Sequence, residues 1–182
     1  MNNKQKSILN YFTTYQDKET EDIKVNDNTN IICFTDGACI HNGKKYAKGS
    51  WAAVFPFNTQ YNTSGKLNDG VVATNNRAEY TALIKAFQQA DKIDPQYRKS
   101  LTVYSDSELL IKSITNWLKN WKRNNWKKSD GNIVLNKDLL MIIDYHMSKR
   151  NLFMSHVRSH TGKQDFKSIW NDKADELAKQ AL

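Results

Sequence analysis

Apolar positions in this chain follow two rhythms. IICFTD (31–36) is a short apolar run that ends in an acid and predicts a strand. GSWAAVFPF (49–57) reads as a second strand, with Pro56 near its end or on an edge, because proline has no amide to give to a ladder. Residues 60–73 alternate loosely around Gly65 and Gly70 and predict a third strand. Short turns at 43–49 and around Asn58 make these three strands an antiparallel meander. From Asn76 the period changes. Ala78, Ala82, Leu83, Ala86, Phe87 and Ala90 recur at helical spacing, and that helix ends before Pro95. LTVYSD (101–106) is another strand ending in an acid. Leu109, Leu110, Ile111 and Ile114 open further helix, LFMSHV (152–157) is a last strand, and ADELAKQAL closes a final helix. A meander followed by strand–helix units implies an α/β fold, one mixed five-stranded sheet flanked by helices.

Residues 13–30 are polar and charged, without apolar periodicity, so residues 1–30 are expected to be a disordered tail ahead of a folded domain at 31–182. Inside that tail, QKSILNYF (5–12) places an isoleucine and two adjacent aromatics where no core is expected. No stretch approaches the ~18–20 apolar residues of a membrane span. Cys33 and Cys39 read as reduced thiols in an intracellular chain. The net charge of +8 suits a polyanionic partner. That charge is concentrated: KSITNWLKNWKRNNWKK (112–128) has six Lys/Arg and no acid, with Trp117 and Trp121 on one helical face. Cations interleaved with aromatics suit a nucleic-acid surface. A solvated basic helix with its tryptophans packed on the core fits these residues equally well.

Asp36 and Asp106 each stand at the last position of a predicted strand, where sites in such sheets commonly lie. Glu79 is expected in about the first turn of its helix, and Asp172, Asp175 and Glu176 cluster on the last. Converging carboxylates repel one another, and a divalent cation with all-oxygen ligands, Mg²⁺ or Mn²⁺, removes that cost. Two such ions can activate a water and stabilise a leaving oxygen in phosphodiester cleavage. An aspartate before glycine or serine is also an ordinary turn former or cap. Spacing alone leaves both readings open.

The motifs TDGACIHNG (35–43), TNNRAEYTAL (74–83), YSDSELLIKSITNW (104–117), NWKRNNWKKSDG (120–131), HVRSHTG (156–162) and NDKADELA (171–178) together resemble type 1 ribonuclease H, in the family's order. The resemblance implies the ribonuclease H-like fold and an endoribonuclease that cuts the RNA strand of RNA/DNA hybrids with two Mg²⁺ ions, Mn²⁺ being the alternative. It implies Asp36, Glu79, Asp106 and Asp175 as metal ligands. Asp175 is favoured because Leu177-Ala178 follow it as in the family, with Asp172 the runner-up. His160 matches a flexible-loop histidine that assists proton movement or product release. It lies fifteen positions before Asp175, a longer gap than is usual, with KQDFKSIW read as inserted loop.

The resemblance further implies that Asn42, Asn75 and Asn76 touch the RNA strand, and that the basic protrusion around 112–131, with Trp117 and Trp121, grips the DNA strand. Thr74 and Asn136 match a DNA-phosphate pocket. Its usual arginine is replaced by Val72, which implies a weaker pocket compensated by Lys128 and Ser129. Gln5, Ile8, Tyr11 and Phe12 resemble the motif by which replication proteins dock on the sliding clamp (PCNA). One 3₁₀ turn would present the three apolar side chains as a plug. The expected protein is a monomer acting where DNA is replicated, in primer or hybrid removal. The rival readings are a hybrid-binding module without catalysis, which would lack the acids, and another nuclease of the same fold.

Overall fold

The computed structural model describes residues 29–159 and 161–182. Strand β1 (Asn30–Ile40) is the centre of the molecule. Ile31 and Cys33 point into one core and Ile32 and Phe34 into another. This burial on both faces is why the segment reads as an unbroken apolar run. β2 (Lys48–Val54) and β3 (Thr63–Lys66) follow as an antiparallel meander. Helix α1 (Asn75–Ile93) crosses to β4 (Ser100–Ser105). A helical arm comes next, consisting of α2 (Glu108–Lys112), one wider π turn (Ser113–Trp117) and α3 (Leu118–Arg123). Then come α4 (Lys137–Met147), β5 (Leu152–His156) and α5 (Phe166–Gln180). The five strands form one mixed sheet in the order β3-β2-β1-β4-β5. Among the described residues no helix is long and apolar enough to cross a membrane.

Helix α1 covers one face of the sheet with Leu83, Ala86, Phe87 and Ala90. Its N-terminus is capped by Thr74, whose Oγ1 accepts from the Arg77 amide (3.1 Å). Its C-terminus is held by a fully buried Arg150, which donates to Asp94 Oδ2 (2.9 Å) and to the carbonyls of Asp94 (2.7 Å) and Lys99 (2.5 Å). Helix α5 covers the other face, packing Ala174 against Phe34, Val54 and Tyr104. Ser50 on β2 donates to the Ala178 carbonyl (2.5 Å), which ties α5 to the sheet.

Several expectations are corrected. Asp36 is not at the end of β1, because β1 continues to Ile40 against β2 after its pairing with β4 stops at Phe34 and Tyr104. The third strand is four residues long rather than 60–73. Thr59–Tyr61 is a 3₁₀ turn, and beyond Lys66 the chain turns at Gly70, with φ +88°. The second strand stops at Val54, because the Phe55 amide is taken by Asn62 Oδ1 (2.6 Å) and Pro56 has none. Glu79 lies in the second turn of α1 rather than the first.

Candidate active site

β1 and β4 run parallel only as far as Phe34 and Tyr104. β4 then ends, and β1 goes on with β2 alone. The gap between them is a crevice at the carboxyl end of β4, where β1 parts from it, and such crevices between parallel strands are where α/β sheets put their ligands. Asp36 enters it from β1 and Asp106 from the residue after β4.

Glu79 reaches the same point because α1 lies almost on top of β1. A Cβ on Gly37 would stand 2.5 Å from the Glu79 amide nitrogen and 2.6 Å from the Ala78 carbonyl carbon. Glycine is therefore a requirement of the approach rather than of a turn. Carboxylate oxygens of Asp36, Glu79 and Asp106 all lie within 4.8 Å of one another.

The electrostatics are those of a site built for a cation. Burial, followed by the charges of Asp106 and Asp175, pushes the Asp36 carboxyl up to about 7. Burial, then Asp36 and Asp106, holds Glu79 well above the usual carboxylate range, opposed by the Gly37 amide. Glu79 Oε2 is buried with no hydrogen-bond partner among the described residues. An orphaned buried acceptor beside two more carboxylates is costly without a counter-charge. All-oxygen donors in this number suit a hard divalent cation, and the residues present fit one.

Asp175 on α5 lines the same open cleft of about 480 Å³, together with Asn75, Ser107 and Lys179. Its Oδ2 accepts from Lys179 Nζ at 2.7 Å. Asp172, one turn earlier, is exposed and does not line the cleft. His160 lies outside the described residues. The stretch KQDFKSIW is not an inserted loop. FKSIW is the first turn and more of α5, capped by Asp165, which accepts from the Ser168 amide (2.9 Å), and anchored by Phe166 stacking on Phe57.

The expected substrate residues are distributed around this cleft. Asn75 lines it. Asn42 Oδ1 accepts from the Asn75 amide (3.0 Å), so Asn42 fastens the β1–β2 loop to the start of α1. Asn76 is exposed in the first turn of α1. Asn136 has φ +58°, and its Oδ1 accepts from Arg77 Nη1 (3.0 Å). Arg77 also makes a two-point contact with Asp138 (2.6 and 3.1 Å). Trp117 and Trp121 sit side by side, with ring centres 5.6 Å apart. Trp121 packs on the core, while Trp117 and Ser129 are exposed.

The site also contains residues that the sequence reading passed over. Arg77 links the two expected pocket residues, with its backbone amide on Thr74 Oγ1 and its guanidinium on Asn136 Oδ1 and Asp138. Its signal was its place inside TNNRAE. Lys179, one helical turn after Asp175, was detectable as an i,i+4 pair.

Comparison with known proteins agrees with this architecture. The family model for RNase H matches residues 28–182. The chain belongs to the ribonuclease H family. It is 38% identical over 154 residues to a Ribonuclease H of Francisella philomiragia, covering 84% of this chain and 91% of that one. It is 34% identical over 154 residues to the Ribonuclease H1 of Mus musculus, covering 82% of this chain and only 49% of the mouse protein. The crystal structure of LC11-RNase H1 in complex with RNA/DNA hybrid has the same fold, with a TM-score of 0.57 and 24% identity over 84% of this chain and 96% of that one. The mixed five-stranded sheet with flanking helices is thus the ribonuclease H fold, and the acidic cleft of this ribonuclease H lies where its central parallel strands part.

Proposed function

We propose that this chain is an endonuclease that hydrolyses the RNA strand of RNA/DNA hybrids with two divalent cations, Mg²⁺ or alternatively Mn²⁺. The observation that carries this reading is the Asp36–Glu79–Asp106 cluster, with its oxygens within 4.8 Å of one another and Glu79 Oε2 unpartnered. Bound ions would supply activation of a water and stabilisation of a leaving oxygen. The chain's own groups hold them. Asp36, Glu79, Asp106 and Asp175 would hold the ions, Asp36 toward both, Asp175 toward the water side, and Glu79 and Asp106 toward the leaving side. His160 assists proton movement or product release. Asn42, Asn75 and Asn76 face the RNA strand, where 2′-hydroxyls mark it as RNA. Thr74, Asn136 and the arm with Trp117, Trp121 and Ser129 take the DNA strand. The products carry 5′-phosphate and 3′-hydroxyl ends.

The natural role consistent with this chemistry is removal of primers or transcription-derived hybrids. Gln5, Ile8, Tyr11 and Phe12 would tether the enzyme to the sliding clamp, and they lie outside the described residues. A pull-down on the clamp with Ile8, Tyr11 and Phe12 changed to Ala tests that role, and undiminished capture would remove it.

The chemistry is tested by labelling one strand at a time of RNA/DNA, RNA/RNA and DNA/DNA duplexes. Loss of only the hybrid's RNA strand, dependent on Mg²⁺ and abolished in Asp106→Asn, is expected. A hybrid that is bound but left intact in both Mg²⁺ and Mn²⁺ would overturn the reading in favour of a binding module.

A further inference from the structure

The tryptophan-bearing arm is less cationic than its composition suggests. Lys112 is paired with Glu108 (2.7 Å), Lys122 with Asp144 (2.7 Å) and Lys128 with Asp130 (3.0 Å). Half of its six cations therefore carry a resident carboxylate. The β1–β2 loop is the reverse case. Between Asp36 and Asp69 the sequence contains no acid, and it carries Lys44, Lys45, Lys48 and Lys66. Lys44, Lys45 and Lys48 are exposed, and among the described residues none of the three is in an ion pair.

The loop is shaped and placed. His41 (φ +54°) and Gly43 (φ +75°) turn it, and the Lys44 amide closes back on the His41 carbonyl (2.9 Å). The Gly43 amide donates to Ala73 (3.2 Å), and Asn42 Oδ1 holds the Asn75 amide (3.0 Å), so the loop is moored to the residue that lines the acidic cleft. Ile40, the last residue before the turn, lines the cleft as well. Tyr46 is 66% exposed, with one edge-to-face contact to His41 (4.8 Å) that leaves most of the ring open.

Exposed unpaired lysines beside an open aromatic ring suit a sugar–phosphate strand with a base or ribose on the ring. From this arrangement we infer that Lys44, Lys45, Tyr46 and Lys48 form a second nucleic-acid contact, which engages the RNA strand of the hybrid beyond the cleavage site. The inference rests on the proposed function, because Asn42 and Asn75 place the loop on the RNA side of the cleft. The loop thereby sets how far the RNA strand must extend for full affinity.

The test is fluorescence anisotropy of the full chain on an RNA/DNA hybrid, in chelator so that nothing is cut, across a range of KCl concentrations. Each phosphate neutralised contributes about 0.9 to the slope of log affinity against log salt. Lys44→Ala/Lys45→Ala/Lys48→Ala should lower that slope by about 2 to 3, and Tyr46→Ala should weaken binding with little change in slope. Lys92→Ala, an exposed lysine near the far end of α1, is the control. The deficit of the triple variant should vanish on hybrids whose RNA strand is shortened on one side of the cut, with the DNA strand left intact. An unchanged slope in the triple variant would overturn the inference, as would a deficit that vanishes only when the DNA strand is shortened. A wild-type protein that neither binds nor cuts hybrid would instead overturn the functional reading, and the two failures are therefore distinguishable.

Discussion

Lys179 Nζ lies 2.7 Å from Asp175 Oδ2, so the acid on the last helix already holds a cation, whereas Glu79 holds none. Lys179 also lowers the proton affinity of Asp36, so its charge is felt at the cluster's central acid as well. It is a resident competitor for the ion that Asp175 completes. Lys179→Gln should therefore tighten Mn²⁺ binding at the weaker site by about two- to fivefold, the scale of a partly exposed ion pair. The same change should lower the melting temperature of the metal-free protein. Calorimetric titration reads the first effect. Unchanged or weaker binding would dismiss Lys179 as a competitor.

The raised carboxyl of Asp36 makes a prediction about pH. In the unfolded chain this group titrates near 3.8, and in the folded, metal-free protein near 7. Between those values the folded state holds the extra proton, so stability falls as pH rises from about 4 to about 7, and then levels off. Glu79 acts in the same direction. The Asp36 part is on the order of a few kcal/mol. Thermal melts in chelator should show a higher midpoint at pH 5 than at pH 8, and Mg²⁺ should recover most of the loss at pH 8. Asp36→Asn should make the profile shallower, leaving the part that Glu79 carries. A flat wild-type profile would mean that the carboxylates are less buried than the structure has them.

Gly37→Ala should damage both site and fold. The new methyl would meet backbone at 2.5 and 2.6 Å, and backbone cannot swing aside. α1 must lift, and Glu79 must leave the cluster with it. A loss of about 1–3 kcal/mol is the usual scale for overpacking, with cleavage falling at least tenfold. A variant with wild-type melting and activity would show that α1 approaches β1 less closely than this.

Arg150 offers a contrast, because it is far from the chemistry. Its side chain is fully buried among Asp94, Asp91 and the carbonyls at the end of α1. Arg150→Ala leaves Asp94 without its charge partner and should cost about 3–5 kcal/mol. Below its melting range the variant should keep its KM for hybrid and its metal affinity. A selective loss of metal affinity would mean that the end of α1 communicates with Glu79.

The sequence made the three convergent acids legible because each sits beside a change of apolar rhythm: Asp36 and Asp106 after buried runs, Glu79 near the start of a helical stripe. It did not show how far neighbouring strands run together. Periodicity records which side of a strand is apolar, while the divergence of β1 from β4 after Phe34 depends on the pairing of β1 with β2. For the same reason β1 was read four residues short, and β3 was read too long. FKSIW reads as loop in the sequence because it lengthens the usual spacing. Its helical state comes from Asp165 capping and from Phe166 and Trp170 packing against the second core. Gly37 was quoted as part of a motif, and only the close passage of α1 gives its reason.

Helix α5 carries Asp175 and packs on the sheet face opposite α1, the helix that carries Glu79. It is held by Ser50 and by Phe166, Trp170, Ala174, Leu177 and Ala178 packed on β1, β2 and β4, while Asp36, Glu79 and Asp106 belong to the central strands and the helix on their other face. Three of the four candidate ligands are thus independent of α5. If α5 lifts, the trio and the basic surfaces remain, leaving a protein that still grasps its hybrid with a half-furnished centre. On heating, cutting should be the first property to go, holding the second, and the sheet the last.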